Sequence, residues 1–401
     1  MAGRNVNSDG VNHNPLPNEK HLPAAKAIYF INYAGFAIFM PFINVYYRDI
    51  GLSGLEIGLI NSLSPLVGML GGSIWGLLND RFGKTRILLG TAILGSIITS
   101  WGIASVKSFG LLLPVAALFS LFYSTLIPII DSNTLLLLGN QRERYGSIRL
   151  WGSVGYVLTS LIGGELLNLL GLNRLFPIFT LFMVIFLITI FRYPTGSRIP
   201  DSSTRLIGAL RFMLRQPHWV VFTFSVLFLW VAASGMYNFL GVYMKDLGAD
   251  EGLIGLTMAI SGASEIPILF YGSRLLKRFA PRKMIAAAML AYLMRMVLYG
   301  IMPSASWAPY ISLLNSLSFG LFWIGSIAYI NDLAPDEVKS TSQGLLLAVF
   351  NLASLISTTF SGWLYDFAGP SNLFLILALC CLVAFTIFVL GTLGNRRRVL
   401  R

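Results

Sequence analysis

The stretch from Phe42 to Arg86 is written twice in this chain. The first copy begins FINVYYRDIGLSGLEIGL and runs from Phe42 to Leu59. The second reads FLGVYMKDLGADEGLIGL and runs from Phe239 to Leu256, an offset of 197 residues. The same offset brings Arg81-Phe82 onto Arg278-Phe279 at the far end of the apolar run that follows. No gap is needed in between. A chain built this way consists of two related halves in tandem, and its function has to use both.

The repeats are carried on long apolar runs. Of 401 residues, 55% are hydrophobic and only 11% are charged, and the mean hydropathy is +0.72. Soluble domains carry about 25% charged residues. Runs of about 20 residues with few charges are long enough to cross a bilayer core. The class is therefore a polytopic, all-α membrane protein. The net charge of +12 does not point to nucleic acid, because the basic residues form no single patch. Cys380 and Cys381 are adjacent inside an apolar run, and His13, His21 and His218 are scattered. Neither set has the spacing of a disulfide framework or a metal site. Residues 1–22 are polar and read as a disordered tail. The apolar run after them is too long for a signal-peptide core.

Twelve helical spans are predicted: 25–47, 54–78, 86–106, 110–138, 148–171, 174–192, 218–244, 253–273, 283–303, 307–330, 341–366 and 371–392. Two six-helix bundles follow, 23–192 and 218–392. The more polar segment 193–217 links them, and 393–401 forms a basic tail. Lys and Arg in the short loops gather on one side. The other side holds only Arg48, Lys107, Arg174 and Lys245. By the positive-inside rule, both termini and the linker are expected in the cytoplasm, in a cytoplasmic (inner) membrane.

The segment Gly76-Leu77-Leu78-Asn79-Asp80-Arg81-Phe82-Gly83-Lys84-Thr85-Arg86 resembles the signature loop between helices two and three of the major facilitator superfamily. A degenerate copy, Ser273–Lys283, lies between helices eight and nine, with Lys277 in place of the acid. The resemblance implies the major facilitator fold, twelve transmembrane helices in two six-helix repeats. It also implies a conformational latch of Gly76, Asp80, Arg81 and Gly83, in which Asp80 pairs across the halves in one state. The basic residues of the loop also serve to keep it on the cytoplasmic side. Before the loop, Gly68, Gly72 and Gly76 recur every four residues, a small stripe that lets another helix approach closely.

An ionisable residue inside a span is a functional candidate by default, because a charge at the bilayer centre costs at least about 2.5–3.5 kcal/mol. Asp131, Arg149, Glu265 and Arg295 qualify. Glu165 lies nearer the end of its span and reaches water more easily. Pro128, one turn before Asp131, leaves the carbonyl of Ser124 without its helical donor. Arg149 opens the next, antiparallel helix and is long enough to reach Asp131. A structural ion pair is the alternative to a substrate site here.

Pro128-Ile129-Ile130-Asp131 followed by Arg149-Leu150-Trp151-Gly152 resembles the lactose permease group of proton symporters, which includes nucleoside and phenylpropionate permeases. The resemblance implies that Asp131 and Arg149 hold the substrate, and that Tyr156 stacks on it two turns later. In the second half, Glu265 resembles the group's substrate-binding glutamate and Arg295 its coupling arginine. Helix ten departs from the pattern: Asn315 takes the place of a histidine and Ser318 that of the proton-carrying acid. Any proton must then ride on Glu265 or Asp131. A carboxylate that meets Arg295 in one state and loses it in the other can bind and release a proton each cycle, whereas a fixed Glu265–Arg295 pair only ties two helices together. Tyr29, Asn32, Tyr33, Asn61, Tyr237, Asn238 and Asn351 are further polar residues available to line a cavity.

The expected function is secondary active transport of a small polar or amphipathic metabolite, a sugar, a nucleoside or an aromatic acid, by alternating access and proton symport. A proton-antiport exporter of drugs or solutes on the same fold is the alternative, and a transport-dead sensor is a third. No phosphate-binding loop of the Gly-x-x-x-x-Gly-Lys-Ser/Thr kind occurs, and no enzyme-like constellation is visible. No cofactor or metal is expected, the proton gradient being the driving force, and a monomer in the lipid bilayer is expected to suffice.

Overall fold

The computed structural model describes residues 21–82, 85–139, 141–193, 215–334 and 339–394. Side chains are described for these except at 69–82, 142, 339, 340, 393 and 394. Among the described residues the chain is helical. Its long helices are α1 (Leu22–Asp49), α2 (Gly54–Phe82), α3 (Thr85–Ser105), α4 (Phe109–Leu138), α5 (Tyr145–Leu170) and α6 (Leu172–Ile190). The second six are α7 (Pro217–Asp246), α8 (Glu251–Phe270), α9 (Pro281–Gly300), α10 (Ala305–Leu333), α11 (Lys339–Ala368) and α12 (Pro370–Gly394). All except α2 are long and apolar enough over described residues to cross a membrane, and α2 itself runs 29 residues.

The duplicated sequence folds into duplicated geometry. At the end of α1, Gly51 N donates to Arg48 O and Leu52 N to Tyr47 O. At the end of α7, Gly248 N donates to Lys245 O and Ala249 N to Met244 O. Gly51 has φ of 94° and Gly248 of 83°. Both turns need the left-handed conformation that a side chain disfavours. The next helices are capped in both copies. Ser53 and Glu56 form a reciprocal capping box at α2, Ser53 N donating to Glu56 Oε2 at 2.9 Å and Glu56 N to Ser53 Oγ at 3.2 Å. At the matching position Asp250 Oδ1 accepts from Leu253 N at 2.7 Å.

Within the first half α1 packs on α5 and α6, and α4 on α2 and α3. Within the second, α7 packs on α11 and α12, and α9 on α10 and α12. The halves meet through α2 on α11, α5 on α8 and α1 on α7. The first two contacts exchange under the repeat and the third maps to itself, as a two-fold relation between halves requires.

Three expected spans are interrupted. Helix α4 breaks at Ser124–Thr125, between Phe109–Tyr123 and Leu126–Leu138. The break falls where Pro128 withholds a donor from Ser124. Helix α8 stops at Phe270, just beyond Pro267, and a separate short helix, Gly272–Arg278, covers the first part of the degenerate copy of the signature loop. Helix α10 contains a π-helical turn, Ser316–Gly320. Such turns occur mostly as single insertions and often at functional sites.

Candidate functional site

A central cavity of about 780 Å³ lies between the halves, within the range of small-molecule sites. Its polar lining includes Asn44, Asn61, Asn238 and Asn351, with Tyr33, Tyr156 and Tyr237. The second half adds an aromatic wall, where Trp230 stacks on Phe350 at 4.0 Å and Phe319 on Trp323 at 5.8 Å. Among the residues lining it, Glu265 is the one carboxylate, and none is Lys, Arg or His.

Glu265 is joined to Arg295 through Asn315. The amide nitrogen of Asn315 donates to Glu265 Oε1 and, at 3.1 Å, to the carbonyl of Ser261. Its amide oxygen accepts from Arg295 Nη1 at 2.5 Å and from Tyr237 Oη at 3.2 Å. Arg295 is 1% exposed. It also meets Ser318 Oγ at 3.3 Å, Ser261 Oγ at 3.4 Å and the Tyr299 ring, 5.6 Å away. The expected direct Glu265–Arg295 pair is therefore not formed in this conformation. Physically, Asn315 is a neutral amide with an acceptor on one side and a donor on the other, so it satisfies base and acid without either touching the other. The arrangement places Glu265 at the cavity wall, one amide away from the buried guanidinium.

Asp131 and Arg149 are brought together on the first half, 3.6 Å apart between Oδ2 and Nη1. Tyr29 Oη donates to Asp131 Oδ1 at 2.5 Å. Arg149 donates to Tyr145 Oη at 2.9 Å and to Tyr33 Oη at 3.4 Å. Thus Tyr29 and Tyr33, one turn apart on α1, each hold one member of the pair. The pair does not line the central cavity, but Tyr33 does. The side chains of Arg149 and Asp131 are 44% and 24% exposed. At this length the ion pair is a loose one.

The cavity is shut at the end where α2 and α8 begin. Here the halves touch backbone to backbone. A Cβ on Gly58 of α2 would collide with the carbonyl of Thr358 on α11, and one on Gly164 of α5 would lie 2.7 Å from the carbonyl of Glu251 on α8. Gly255 and Gly362 complete the two seams. Asp366 on α11 accepts from Gly54 N at 2.7 Å and Leu55 N at 2.8 Å, capping the start of α2 from the other half. Nearby, Arg48 and Asp246 pair across the halves at 3.2 Å.

The chain matches known proteins along almost its whole length. The profile of the MFS_1 like family matches residues 22–376. The chain belongs to that family. A maltose permease of Geobacillus stearothermophilus is 29% identical over 380 residues, covering 92% of this chain and 94% of the relative. A probable 3-phenylpropionic acid transporter of Escherichia coli (strain K12) is 26% identical, covering 89% and 94%. The crystal structure of the nucleoside transporter NupG superposes with a TM-score of 0.79 at 17% identity, over 92% of this chain and 98% of that one. The fold is thus the major facilitator fold of multi-pass membrane transporters.

The expected site residues fall in different parts of the molecule. Glu265 and Tyr156 line the cavity, as do Tyr33, Asn61, Tyr237, Asn238 and Asn351. Asn315 and Arg295 lie behind the wall, each 1% exposed, and Asn32 is also buried outside the cavity. Asp131 and Arg149 stand apart from it, linked through Tyr33. For the latch, the side chains of Gly76, Asp80 and Arg81 and the whole of Gly83 lie outside the described residues.

The seam glycines are what the sequence reading passed over. Its glycine stripe, 68, 72 and 76, has only Gly68 among the described side chains, and there a Cβ would meet Ser124 in ordinary contact at 3.8 Å. The signal for the seams was present in the duplication itself: Ile57-Gly58-Leu59 and Ile254-Gly255-Leu256 are the same tripeptide at the same offset.

Proposed function

We propose that this protein is a proton-coupled secondary transporter that carries a small, neutral, polar or amphipathic metabolite across the cytoplasmic membrane. It does so as a monomer, by alternating access between its two six-helix halves, with both termini on the cytoplasmic side. The observation that carries the reading is Glu265, a carboxylate at the wall of the central cavity, pinned through Asn315 to a buried arginine.

Glu265 is the proton carrier in this mechanism. Ionised, it balances Arg295 through Asn315. Protonated, it still accepts from the Asn315 amide through its carbonyl oxygen, and its own proton is available to a hydroxyl or carbonyl of the substrate. Loading therefore needs no rearrangement of the scaffold behind the wall. The lining offers no cationic side chain to an anionic substrate. That favours a sugar or a nucleoside over an aromatic acid, since asparagines and tyrosines suit hydroxyls and base edges and the Trp230–Phe350 wall suits a ring face. Asp131 and Arg149, toward the cytoplasmic ends of α4 and α5, serve a late contact on the inward path, exchanging their long mutual bond for substrate hydroxyls or carbonyls.

The test is uptake into proteoliposomes from a panel of radiolabelled sugars and nucleosides, with and without an imposed pH gradient. At least one solute should accumulate only when the outside is acidic. Glu265→Gln should abolish that accumulation and keep exchange of the solute at equal concentrations. Accumulation by Glu265→Gln equal to the parent's removes Glu265 as the carrier, and the absence of gradient-driven flux for every solute removes symport.

A further inference from the structure

The degenerate copy of the signature loop carries more charge than its counterpart. Residues 76–86 hold three bases, Arg81, Lys84 and Arg86, and one acid, Asp80. At the same offset, residues 273–283 hold five bases, Arg274, Lys277, Arg278, Arg282 and Lys283, and no acid. A few bases fix the side on which a short loop stays, and the first copy does so with fewer. The excess in the second copy therefore needs another cause.

The structure gathers these bases where α8 ends, away from the closed face. The short helix Gly272–Arg278 follows α8, and α9 begins at Pro281. The short helix is held against α10, where a Cβ on Gly272 would lie 2.7 Å from Ile324 Cδ1. Leu275 and Leu276 are half-buried, while Arg274, Lys277, Arg278 and Lys283 are exposed. Arg274 is three residues from Lys277 and four from Arg278, and like charges at those spacings on a helix repel. Among the described residues, none of the five bases has an ion pair or a side-chain hydrogen bond. In the first copy, Arg86, the counterpart of Lys283, donates to the carbonyl of Tyr193 at 3.0 Å.

Aromatic rings are set among the charges. Arg274 lies over the ring of Tyr271 at 5.2 Å, and Arg278 over that of Phe279 at 5.7 Å. Tyr271 and Phe279 are exposed, as is Phe270 beside them. Exposed rings at the end of a membrane helix sit at the level of the lipid headgroups, so they hold the two guanidinium groups at the depth of the lipid phosphates. A guanidinium matches the paired oxygens of a phosphate, and clusters of four to eight bases next to a membrane helix attract anionic lipid.

We propose that this loop is a docking surface for anionic lipid: Arg274, Lys277 and Arg278 take the phosphodiester of a phosphatidylglycerol-type headgroup, and Tyr271 and Phe279 set its depth. The lipid supplies the negative charge that the second copy lacks. It also tethers to the membrane surface the end of α8, the helix that carries Glu265. The inference needs the membrane-spanning fold and not the transport reading.

The experiment uses the full chain, delipidated in detergent micelles and titrated with dioleoylphosphatidylglycerol or dioleoylphosphatidylcholine, with bound lipid counted by native mass spectrometry. The parent should bind the anionic lipid at least about tenfold more tightly than the zwitterionic one. Each base near a charged lipid surface contributes about fivefold in affinity. The triple change Arg274→Gln/Lys277→Gln/Arg278→Gln should thus weaken phosphatidylglycerol by about a hundredfold and leave phosphatidylcholine unchanged. Should the triple variant express poorly, Lys277→Asp, which restores the acid of the first copy, should weaken it by about fivefold or more. Arg396→Gln/Arg397→Gln/Arg398→Gln removes as much charge from the basic tail and should change little. Equal affinity of the parent for the two lipids, or parental affinity in the loop variants, overturns the proposal. An equal loss in the tail variant replaces the local surface with a diffuse attraction and overturns it too. Gradient-driven uptake is measured separately, so failure here leaves the transport reading standing.

Discussion

Replacing Asp366 with Asn probes the closed end of the molecule directly. In the parent, one carboxylate on α11 receives two backbone donors of α2, Gly54 N at 2.7 Å and Leu55 N at 2.8 Å. Hydrogen bonds to a charged group contribute about 1.5–3 kcal/mol when buried. Asp366 is exposed, so water and salt reduce that figure. The amide keeps one acceptor oxygen but loses the second bond. It also loses the attraction of a full charge to the helix N-terminus, about 0.3–1 kcal/mol. The two losses together come to about 1–2 kcal/mol, and such a change shifts a two-state equilibrium about 5- to 30-fold. All of it falls on the state in which α2 and α11 touch at this end. The assay is pulsed EPR between spin labels at Lys107→Cys and Leu247→Cys, which lie on opposite halves at this face, in a Cys380→Ala/Cys381→Ala background. Asp366→Asn should enlarge the long-distance population by that factor. A distance distribution identical to the parent's refutes the idea that this cap holds the face closed.

Gly255→Val should prevent closure at the same face altogether, because its side chain has to occupy the space of the Ser160 carbonyl and Gly164 Cα; the variant should reach the membrane in normal amount and show no uptake. Asn315→Ala removes the group that satisfies both Arg295 and Glu265, and the loss of about 2–3 kcal/mol for a buried charged group left short of a partner should appear as a clear fall in the melting temperature of the purified protein. Arg149→Lys keeps the charge but loses the planar fork that spans Tyr145, Tyr33 and Asp131; the concentration for half-maximal uptake should rise about tenfold with expression unchanged, and an unaltered value identifies Arg149 as a structural anchor.

The architecture was legible because it is written in the two strongest signals a sequence has, apolar run length and self-repetition. The break in α4 was half legible: Pro128 predicts a free carbonyl at Ser124, and the helix parts there, but the consequence for Tyr123 and Ser124 depends on what packs opposite. The acid–base partnership in the second half was read one residue short. Glu265 and Arg295 are on neighbouring helices at compatible depth, and nothing in the chain says that an amide from a third helix slips between them. The π-helical turn beside Asn315 was equally hidden, since Ser316–Gly320 carries no proline and no residue that demands the wider turn. Asp366 escaped notice for another reason. An acid at the end of a membrane helix is ordinary, and only the approach of α2 gives it two donors to hold.

The closure itself has the chemistry that reversal requires. A transporter of this kind has to leave each closed state on every cycle, so the seam cannot be worth many kcal/mol. Interdigitated leucines would bury apolar area at about 25 cal/mol per Å² and hold the halves shut. The seams here are instead glycine against backbone, Gly58 on Thr358 and Gly362, Gly164 on Gly255 and Glu251. Such contacts fit closely at the glycines themselves. The specific bonds added to them, Asp366 on α2 and Arg48 on Asp246, are exposed, so water can take their place as the face opens. Substrate and proton together then need to supply only a few kcal/mol of differential binding to move the halves.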